Sequence, residues 1–251
     1  MACDLDLPAG VVRCSTSPRT PSLESEEAPG KRRRLGRDPK PQTLFLIDWD
    51  DTCLPYSWLQ AEGLQVLDAS KPSESQRIIL QKQAACVART LRKAKVFGEV
   101  VVVTNAEEGW VAASCFKFLP ELLPLLEEFP VVSARAAYEQ KCPGSPAKWK
   151  LCAFQAEIGA FIAASPSEHG QHNIVSIGDS MHEHEALYAA TSDRHCWAKS
   201  MKFLLKPSVQ DLINQHAVLE QYLEDLASCE GNFDVYMEKV GEDITLVAQA
   251  S

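Results

Sequence analysis

Three aspartates, Asp48, Asp50 and Asp51, directly follow the apolar stretch Leu44–Ile47. Four apolar residues in a row are typical of a short strand that is buried on both faces, as in parallel sheets covered by helices. Open α/β sheets bind their ligands at the carboxyl ends of such strands. Asp48 and Asp50 are two residues apart and therefore fall on one side of an extended chain. Because two close carboxylates repel each other, this pattern predicts a compensating cation.

Mg²⁺ suits this position, because it prefers oxygen ligands, keeps several waters and often shares a substrate phosphate. The alternative interpretation is that Asp48 and Asp50 are solvated turn residues, since aspartate is common in turns. A DxD pair alone does not decide between the two interpretations. The other strand ends therefore have to be compared.

A second set of polar residues ends the segment Glu99–Thr104, which contains four consecutive valines. A long amphipathic helix precedes it, and a strand–helix–strand crossover places the ends of both parallel strands side by side. Thr104 is therefore expected near Asp48, where its hydroxyl could bind a phosphoryl oxygen. Asn105 and the residue after it could offer backbone N–H groups to the same phosphate, as a helix begins near Glu107. The alternative is an ordinary helix cap.

Two lysines, Lys148 and Lys150, lie in the first turns of a predicted helix that begins at Ser145 and Pro146. A capping hydroxyl followed by proline is typical of a helix start. Cations at this end oppose the helix dipole. The two lysines therefore predict anionic neighbours.

Another acidic strand end lies in the segment Asn173–Ser180, with Asp179 at the strand end and Glu183 one turn into the next helix. Both carboxylates are expected to point towards one cleft. His182 and His184 flank Glu183, so a zinc site has to be considered. Adjacent helical positions face apart, however, and this disfavours a shared zinc ion.

The elements that must position these residues follow from periodicity. Helices are predicted over Ser73–Lys95 and Pro207–Ser228, and further strands over Phe129–Ala136 and His195–Lys202. Alternating strands and helices predict an α/β fold with a doubly wound, mainly parallel sheet.

The motifs DxDxT, Thr, Lys and GDxxxE occur in an order that resembles the haloacid dehalogenase superfamily of phosphohydrolases, over about residues 42 to 205. The stretches DWDDT, VVVVTNA, WKLCAF and SIGDSMHEHEAL are similar to those of a protist and plant group within that superfamily. The resemblance implies a Rossmann-like core and a Mg²⁺-dependent phosphatase, without a particular substrate. Cap domains would be inserted after the first or second strand, but crossover helices fill both intervals, so we expect a capless or minimally capped core.

The resemblance also implies catalytic roles. Asp48 would be the nucleophile that forms an aspartyl-phosphate, and Asp50 the general acid/base. Thr104 would bind the phosphate. Lys150, or alternatively Lys148, would screen the nucleophile and the phosphoryl group.

The implied metal site consists of Asp48, the backbone carbonyl of Asp50, and Asp179, with Glu183 supporting the Mg²⁺ shell through water. The four carboxylates carry a total charge of minus four, whereas one lysine and one Mg²⁺ return plus three. Charge balance therefore favours a bound metal ion.

Other functions use the same residue types. A phosphotransferase or phosphomutase would form the same aspartyl-phosphate and is not distinguished by sequence. A non-catalytic binding or scaffold module would normally lose one of the acids. A phosphorelay receiver domain is shorter and lacks a DxD pair on its first strand. The enzyme interpretation is favoured, with a phosphoprotein or another large phosphomonoester as substrate in an open cleft.

Charge and cysteine content limit the partners. Residues 1–40 contain eight Lys/Arg and six Asp/Glu, so their net charge is plus two. The whole chain has a net charge of minus nine, and the remaining residues therefore carry minus eleven. An acidic body disfavours nucleic-acid binding, which needs basic patches.

Nine scattered cysteines without a CxxC pair argue against disulfides and zinc and for a reducing compartment such as the cytoplasm.

Residues 1–40 are rich in Ser, Pro and charge, so we expect a disordered tail followed by one domain over residues 41–251. The basic cluster Lys31–Arg34 could direct the protein to the nucleus or be a solvated charge run. The sequence contains no signal peptide and no apolar run of membrane-spanning length, so no membrane association is expected.

Overall fold

The computed structural model describes residues 42–164 and 171–248. The predicted tail therefore lies outside the described residues. The strands are β1 Thr43–Ile47, β2 Glu99–Thr104, β3 Val131–Ser133, β4 His172–Gly178, β5 Cys196–Lys202, β6 Phe233–Val240 and β7 Asp243–Ala248. The helices are α1 Tyr56–Ala61, α2 Glu74–Phe97, α3 Trp110–Phe118, α4 Leu123–Leu126, α5 Ala134–Tyr138, α6 Pro146–Ala164, α7 Met181–Thr191 and α8 Val209–Ser228, with a 3-10 turn at Pro120–Leu122.

The strands form one seven-stranded sheet in the order β3-β2-β1-β4-β5-β6-β7. Each pair from β3 to β6 is parallel, and β7 pairs antiparallel with β6. The strand order reverses direction between β1 and β4. This confirms the predicted α/β class with a doubly wound, mainly parallel sheet. Sheets of this type bind ligands where the strand order reverses, which here is at the carboxyl ends of β1 and β4.

Helices cover both faces of the sheet. On one face Phe45 and Ile47 of β1 belong to a core that includes apolar residues of α2, α3 and α8. On the other face Leu44 and Leu46 belong to a second core, with residues of α5, α6 and α7. All five residues of β1 are buried, because alternate side chains enter the two cores. Burial on both faces is thus the reason why the central strands are continuously apolar.

The interval between β1 and β2 contains only α1, a loop and α2, and the interval between β2 and β3 contains only short helices and turns. No additional domain is inserted in either of these described intervals. The described residues of these two intervals therefore form no cap over the carboxyl edge of the sheet.

Several predicted boundaries were wrong. The strand predicted over Phe129–Ala136 is only three residues long, because the Ser133 hydroxyl accepts a hydrogen bond from the Ala136 N–H at 3.0 Å and starts α5. The helix predicted near Glu107 begins at Trp110, after Gly109 with φ of +80°. The hairpin formed by β6 and β7 was not predicted.

Candidate active site

Asp48 lies at the point where the strand order reverses. It follows β1 directly, and its backbone N–H donates to the carbonyl of Ile177 in β4 at 2.9 Å. This bond fixes the start of the acidic loop against the neighbouring strand. The carboxyl group is buried, with Asp48 only 8% exposed. A carboxylate in such a place needs close compensating groups.

Lys150 supplies the closest compensation. Its Nζ donates to Asp48 Oδ1 at 2.6 Å and to the carbonyl oxygen of Val103 in β2 at 2.8 Å. It also lies 2.9 Å from Glu183 Oε1. The whole residue is buried, at 0% exposure. Burial alone would lower the lysine pKa, but Asp48 and Glu183 raise it above its usual value, so the side chain is an ammonium cation.

Lys148 is exposed and does not reach this cluster. Two residues along α6 correspond to about 200° of rotation, so the two lysines point in different directions. Of the two lysines, Lys150 is therefore the one that contacts Asp48.

Asp50 is held by two donors. The Thr104 hydroxyl donates to Asp50 Oδ2 at 3.3 Å, and Trp110 Nε1 donates to Asp50 Oδ1 at 2.9 Å. Burial raises the pKa of Asp50 to about 6, although the two hydrogen bonds act in the opposite direction. A carboxyl group with this pKa can both give and accept a proton near neutral pH, as a general acid/base must.

Thr104 is thus brought next to the aspartates, as predicted, although its hydroxyl is already engaged. Besides donating to Asp50, it accepts a hydrogen bond from the Ala106 N–H at 3.0 Å. The Ala106 N–H is therefore not free for phosphate in this state. Asn105 lies beside them, and its Oδ1 is buried without a hydrogen-bond partner in the described part of the chain.

The last residue of the acidic triplet has a structural role that the sequence did not suggest. Asp51 adopts φ of +54°. Its carboxylate accepts hydrogen bonds from the Ser57 N–H at 2.7 Å and from the Ser57 hydroxyl. It therefore ties the acidic loop to the start of α1.

Asp179 and Glu183 differ in their surroundings. Glu183 caps its own helix by accepting hydrogen bonds from the N–H and the hydroxyl of Ser180. Burial would raise the pKa of Glu183, but Lys150 and Ser180 lower it. Burial raises the pKa of Asp179 to about 7, and the nearby Glu183 and Asp51 add to this effect. Asp179 therefore lacks a sufficient counter-charge.

Asp48 also has too little positive charge around it to balance the neighbouring carboxyl groups. Burial raises its pKa well above the usual range; Lys150 counteracts this shift, while Glu183 and Asp50 add to it. One buried ammonium faces several carboxyl groups. Additional positive charge would be needed to keep Asp48 ionised as a nucleophile.

The donor set fits Mg²⁺ in part. Within residues 42–164 and 171–248, no three His, Cys, Asp or Glu side chains are grouped closely enough to hold a metal ion by themselves. Glu183 is committed to Lys150 and Ser180. Asp48, Asp179 and the backbone carbonyl of Asp50 remain as oxygen donors. Mg²⁺ commonly binds through one or two carboxylates and completes its shell with water and substrate phosphate, so this smaller set suits it.

His182, Glu183 and His184 do not form a zinc site among the described residues. His184 Nε2 lies 2.9 Å from Asp234 Oδ2 of β6, whereas Glu183 faces Lys150. The two side chains thus serve different neighbours, as adjacent helical positions require.

Three residues important to this geometry were missed by sequence reasoning. Trp110 orients Asp50, and the sequence indicated this role only by placing a tryptophan shortly after the second strand. His216 of α8 contacts the loop that follows β1, since its Nε2 lies 2.8 Å from the Thr52 carbonyl oxygen. Gly178 permits the close approach of Glu183, since a Cβ there would lie 2.5 Å from Glu183 Cγ; the GD dipeptide was its signal.

Comparison with known proteins adds no family assignment. No family model matches the chain, and no curated protein matches it significantly. Among solved structures it is similar to the signal recognition particle receptor FtsY from Elizabethkingia anophelis in complex with GDP, with 10% identity and a TM-score of 0.26. The match covers 86% of this chain and 63% of FtsY, and a TM-score this low supports no conclusion about fold or function. None of the described helices is long and apolar enough to span a membrane.

Proposed function

We propose that this protein is a Mg²⁺-dependent phosphatase that hydrolyses phosphomonoesters through an aspartyl-phosphate on Asp48. The observation that carries this proposal is the buried ion-pair cluster of Asp48, Lys150 and Glu183 where β1 and β4 end. Next to it lies a second carboxyl group, Asp50, which would act as the acid/base. A purely structural role would not explain so many carboxyl groups around one ammonium in a ligand crevice.

In the first step the Asp48 carboxylate attacks phosphorus, and the bond from phosphorus to the leaving oxygen breaks. Asp50 gives its proton to that oxygen. In the second step the ionised Asp50 takes a proton from water, and the water oxygen attacks the phosphorus of the aspartyl-phosphate. Phosphate leaves, and both carboxyl groups return to their starting states.

Lys150 stays protonated throughout and offsets the charge of the attacking carboxylate and of the phosphoryl oxygens. The Thr104 hydroxyl and the Asn105 side chain lie beside Asp50 and would contact the phosphoryl oxygens after a small rearrangement. Asp48, Asp179 and the carbonyl of Asp50 would hold Mg²⁺, which supplies positive charge to the phosphate when it is bound.

The test is the hydrolysis of p-nitrophenyl phosphate with Mg²⁺ or with a chelator, by wild type and by Asp48→Asn. We expect Mg²⁺-dependent turnover in wild type and a loss of roughly ten-thousandfold or more in the variant, because the amide keeps the shape but cannot act as nucleophile. Asp193→Asn, an exposed aspartate between α7 and β5, is the control and should retain full activity. Near wild-type turnover in Asp48→Asn would contradict the proposal.

A further inference from the structure

A pocket of about 370 Å³ opens beside the Asp50 carboxyl group. Its apolar walls come from Tyr56, Trp110 and Leu67. The rings of Tyr56 and Trp110 meet edge to face, with centroids 5.6 Å apart and planes at 86°. Trp110 is fixed by its hydrogen bond to Asp50. Because Asp50 faces the leaving oxygen in the proposed function, this pocket takes the leaving group.

Leu67 completes an apolar surface in this pocket. Leu67 is 87% exposed, although it is large and apolar. The loop that carries it is held in place, since Lys117 Nζ donates to the backbone carbonyls of Gln65 and Asp68. The loop backbone is thus fixed, and the exposed leucine next to two aromatic rings provides an apolar surface for a flat apolar group.

The charges around the pocket argue against a second anionic group on the ligand. Arg135 is the only cation among the described residues that line it. The guanidinium is already paired with Glu107 at 3.3 Å and with Glu139 at 2.9 Å. Asp50 adds a further acid. A bisphosphate or a nucleotide would therefore find no uncommitted cation here, whereas an uncharged ring would be accepted.

A larger cleft of about 700 Å³ adjoins this pocket and shares Glu107 with it. Its apolar lining includes Val111, Leu123, Leu126 and Val131. Val131 lies in β3 at the end of the sheet and is 45% exposed. A substrate that is longer than one ring could thus continue from the pocket over an apolar surface beside the sheet edge.

We propose that the substrate is a phosphotyrosyl polypeptide. The phenyl ring packs against Tyr56, Trp110 and Leu67, and an apolar residue near the phosphotyrosine occupies the cleft beside β3. The bond between phosphorus and the phenolic oxygen breaks, phosphorus passes to Asp48, and Asp50 gives its proton to the phenolic oxygen. This inference rests on the proposed function for the reaction, but its binding surface can be tested separately.

The first measurement is the binding of phenylphosphonate and methylphosphonate, which cannot be hydrolysed, by calorimetry in the presence of Mg²⁺. We expect phenylphosphonate to bind roughly tenfold more tightly, because the ring buries apolar surface in the pocket. Leu67→Ser should reduce this ratio about threefold, since it removes one wall. Leu205→Ser changes another leucine, 65% exposed, and should leave the ratio unchanged. Equal binding of the two phosphonates would overturn the inference.

The second measurement compares kcat/KM for a phosphotyrosine peptide with apolar flanking residues, the same peptide with phosphoserine, and free phosphotyrosine. The phosphotyrosine peptide should be hydrolysed fastest. If free phosphotyrosine is hydrolysed as well as the peptide, the polypeptide part of the inference is wrong. If phenylphosphonate is preferred but no phosphate ester is hydrolysed, the pocket is an aryl-phosphonate site and the proposed phosphatase function fails instead.

Discussion

Lys150 has three N–H donors, and each finds an oxygen: Asp48 Oδ1, Glu183 Oε1 and the Val103 carbonyl. This arrangement joins the ends of β1 and β2 to the first turn of α7 through one side chain. Removal of the ammonium would leave two buried carboxyl groups without their counter-charge. The cost of such a change is large even where the intact pair contributes little to stability.

We therefore predict that Lys150→Met lowers kcat about a hundredfold or more and lowers the free energy of unfolding by about 3 kcal/mol. Lys148→Met, two residues away on the exposed side of α6, should change neither quantity appreciably. Phosphatase assays and urea unfolding of both variants provide the measurements. Equal losses in the two variants would show that the assignment of Lys150 is wrong.

At the residue scale the sequence predicted that these acidic and basic side chains lie near each other. Charged side chains at strand ends are visible in a pattern of a few residues, and topology brings them together. The donors that orient them were not predictable in the same way. Trp110, which donates to Asp50, is the first residue of α3, and this helix starts three residues later than expected, after Gly109 in a left-handed conformation.

At the scale of elements, His216 connects α8, α2 and the loop that follows β1. It lies in α8, its Nδ1 is 3.0 Å from the Thr90 hydroxyl of α2, and its Nε2 is 2.8 Å from the Thr52 carbonyl of the acidic loop. The ring packs edge to face against Phe203. Burial lowers the pKa of His216 to about 4; Arg89 acts in the same direction, and the Thr52 carbonyl and Glu220 oppose it.

This shift predicts a dependence of stability on pH. The unfolded chain binds a proton at a histidine near pH 6.5, whereas folded His216 stays neutral down to about pH 4. The contribution of His216 is fully present above the unfolded pKa and is lost as the pH falls towards the folded pKa. Between pH 7 and pH 5 it should reduce the free energy of unfolding by about 2 kcal/mol.

Urea unfolding of wild type and of His216→Gln at pH 7 and pH 5 tests this prediction. The free energy of unfolding should differ less between pH 7 and pH 5 in the variant than in wild type, since glutamine does not titrate. His195→Gln removes an exposed histidine and should keep the wild-type difference. An unchanged difference in His216→Gln would contradict the assigned pKa direction.

The predicted elements agree with the structure where their patterns are long and regular. The continuous apolar strands, α2 and α8 were predicted within a few residues, because burial on one or two faces dictates their composition. The β6 and β7 strands were missed. Only two of the eight residues of β6 are buried, and polar residues alternate with apolar ones less regularly there, so the local pattern is weak.

At the scale of the whole molecule, the described residues form one seven-stranded sheet with an apolar core on each face. β1 begins at Thr43, and the ion-pair cluster lies entirely downstream of it. We therefore predict that a chain beginning at Pro39 retains Mg²⁺-dependent hydrolysis within about twofold of the full chain, since residues 1–38 are not expected to contribute to the core. The activities of both purified proteins give the measurement. A large loss in the shorter chain would show that the preceding residues contribute to the active domain.

Covalent catalysis is tested most directly by Asp50→Asn with a substrate whose leaving group departs without a proton, such as p-nitrophenyl phosphate. Attack by Asp48 should still occur, but no carboxylate remains to activate water. We predict a rapid burst of p-nitrophenolate that approaches one equivalent, a slow steady state, and phosphate on the peptide that contains Asp48 in mass spectrometry. A folded variant that gives no burst and carries no phosphate on Asp48 would contradict the mechanism.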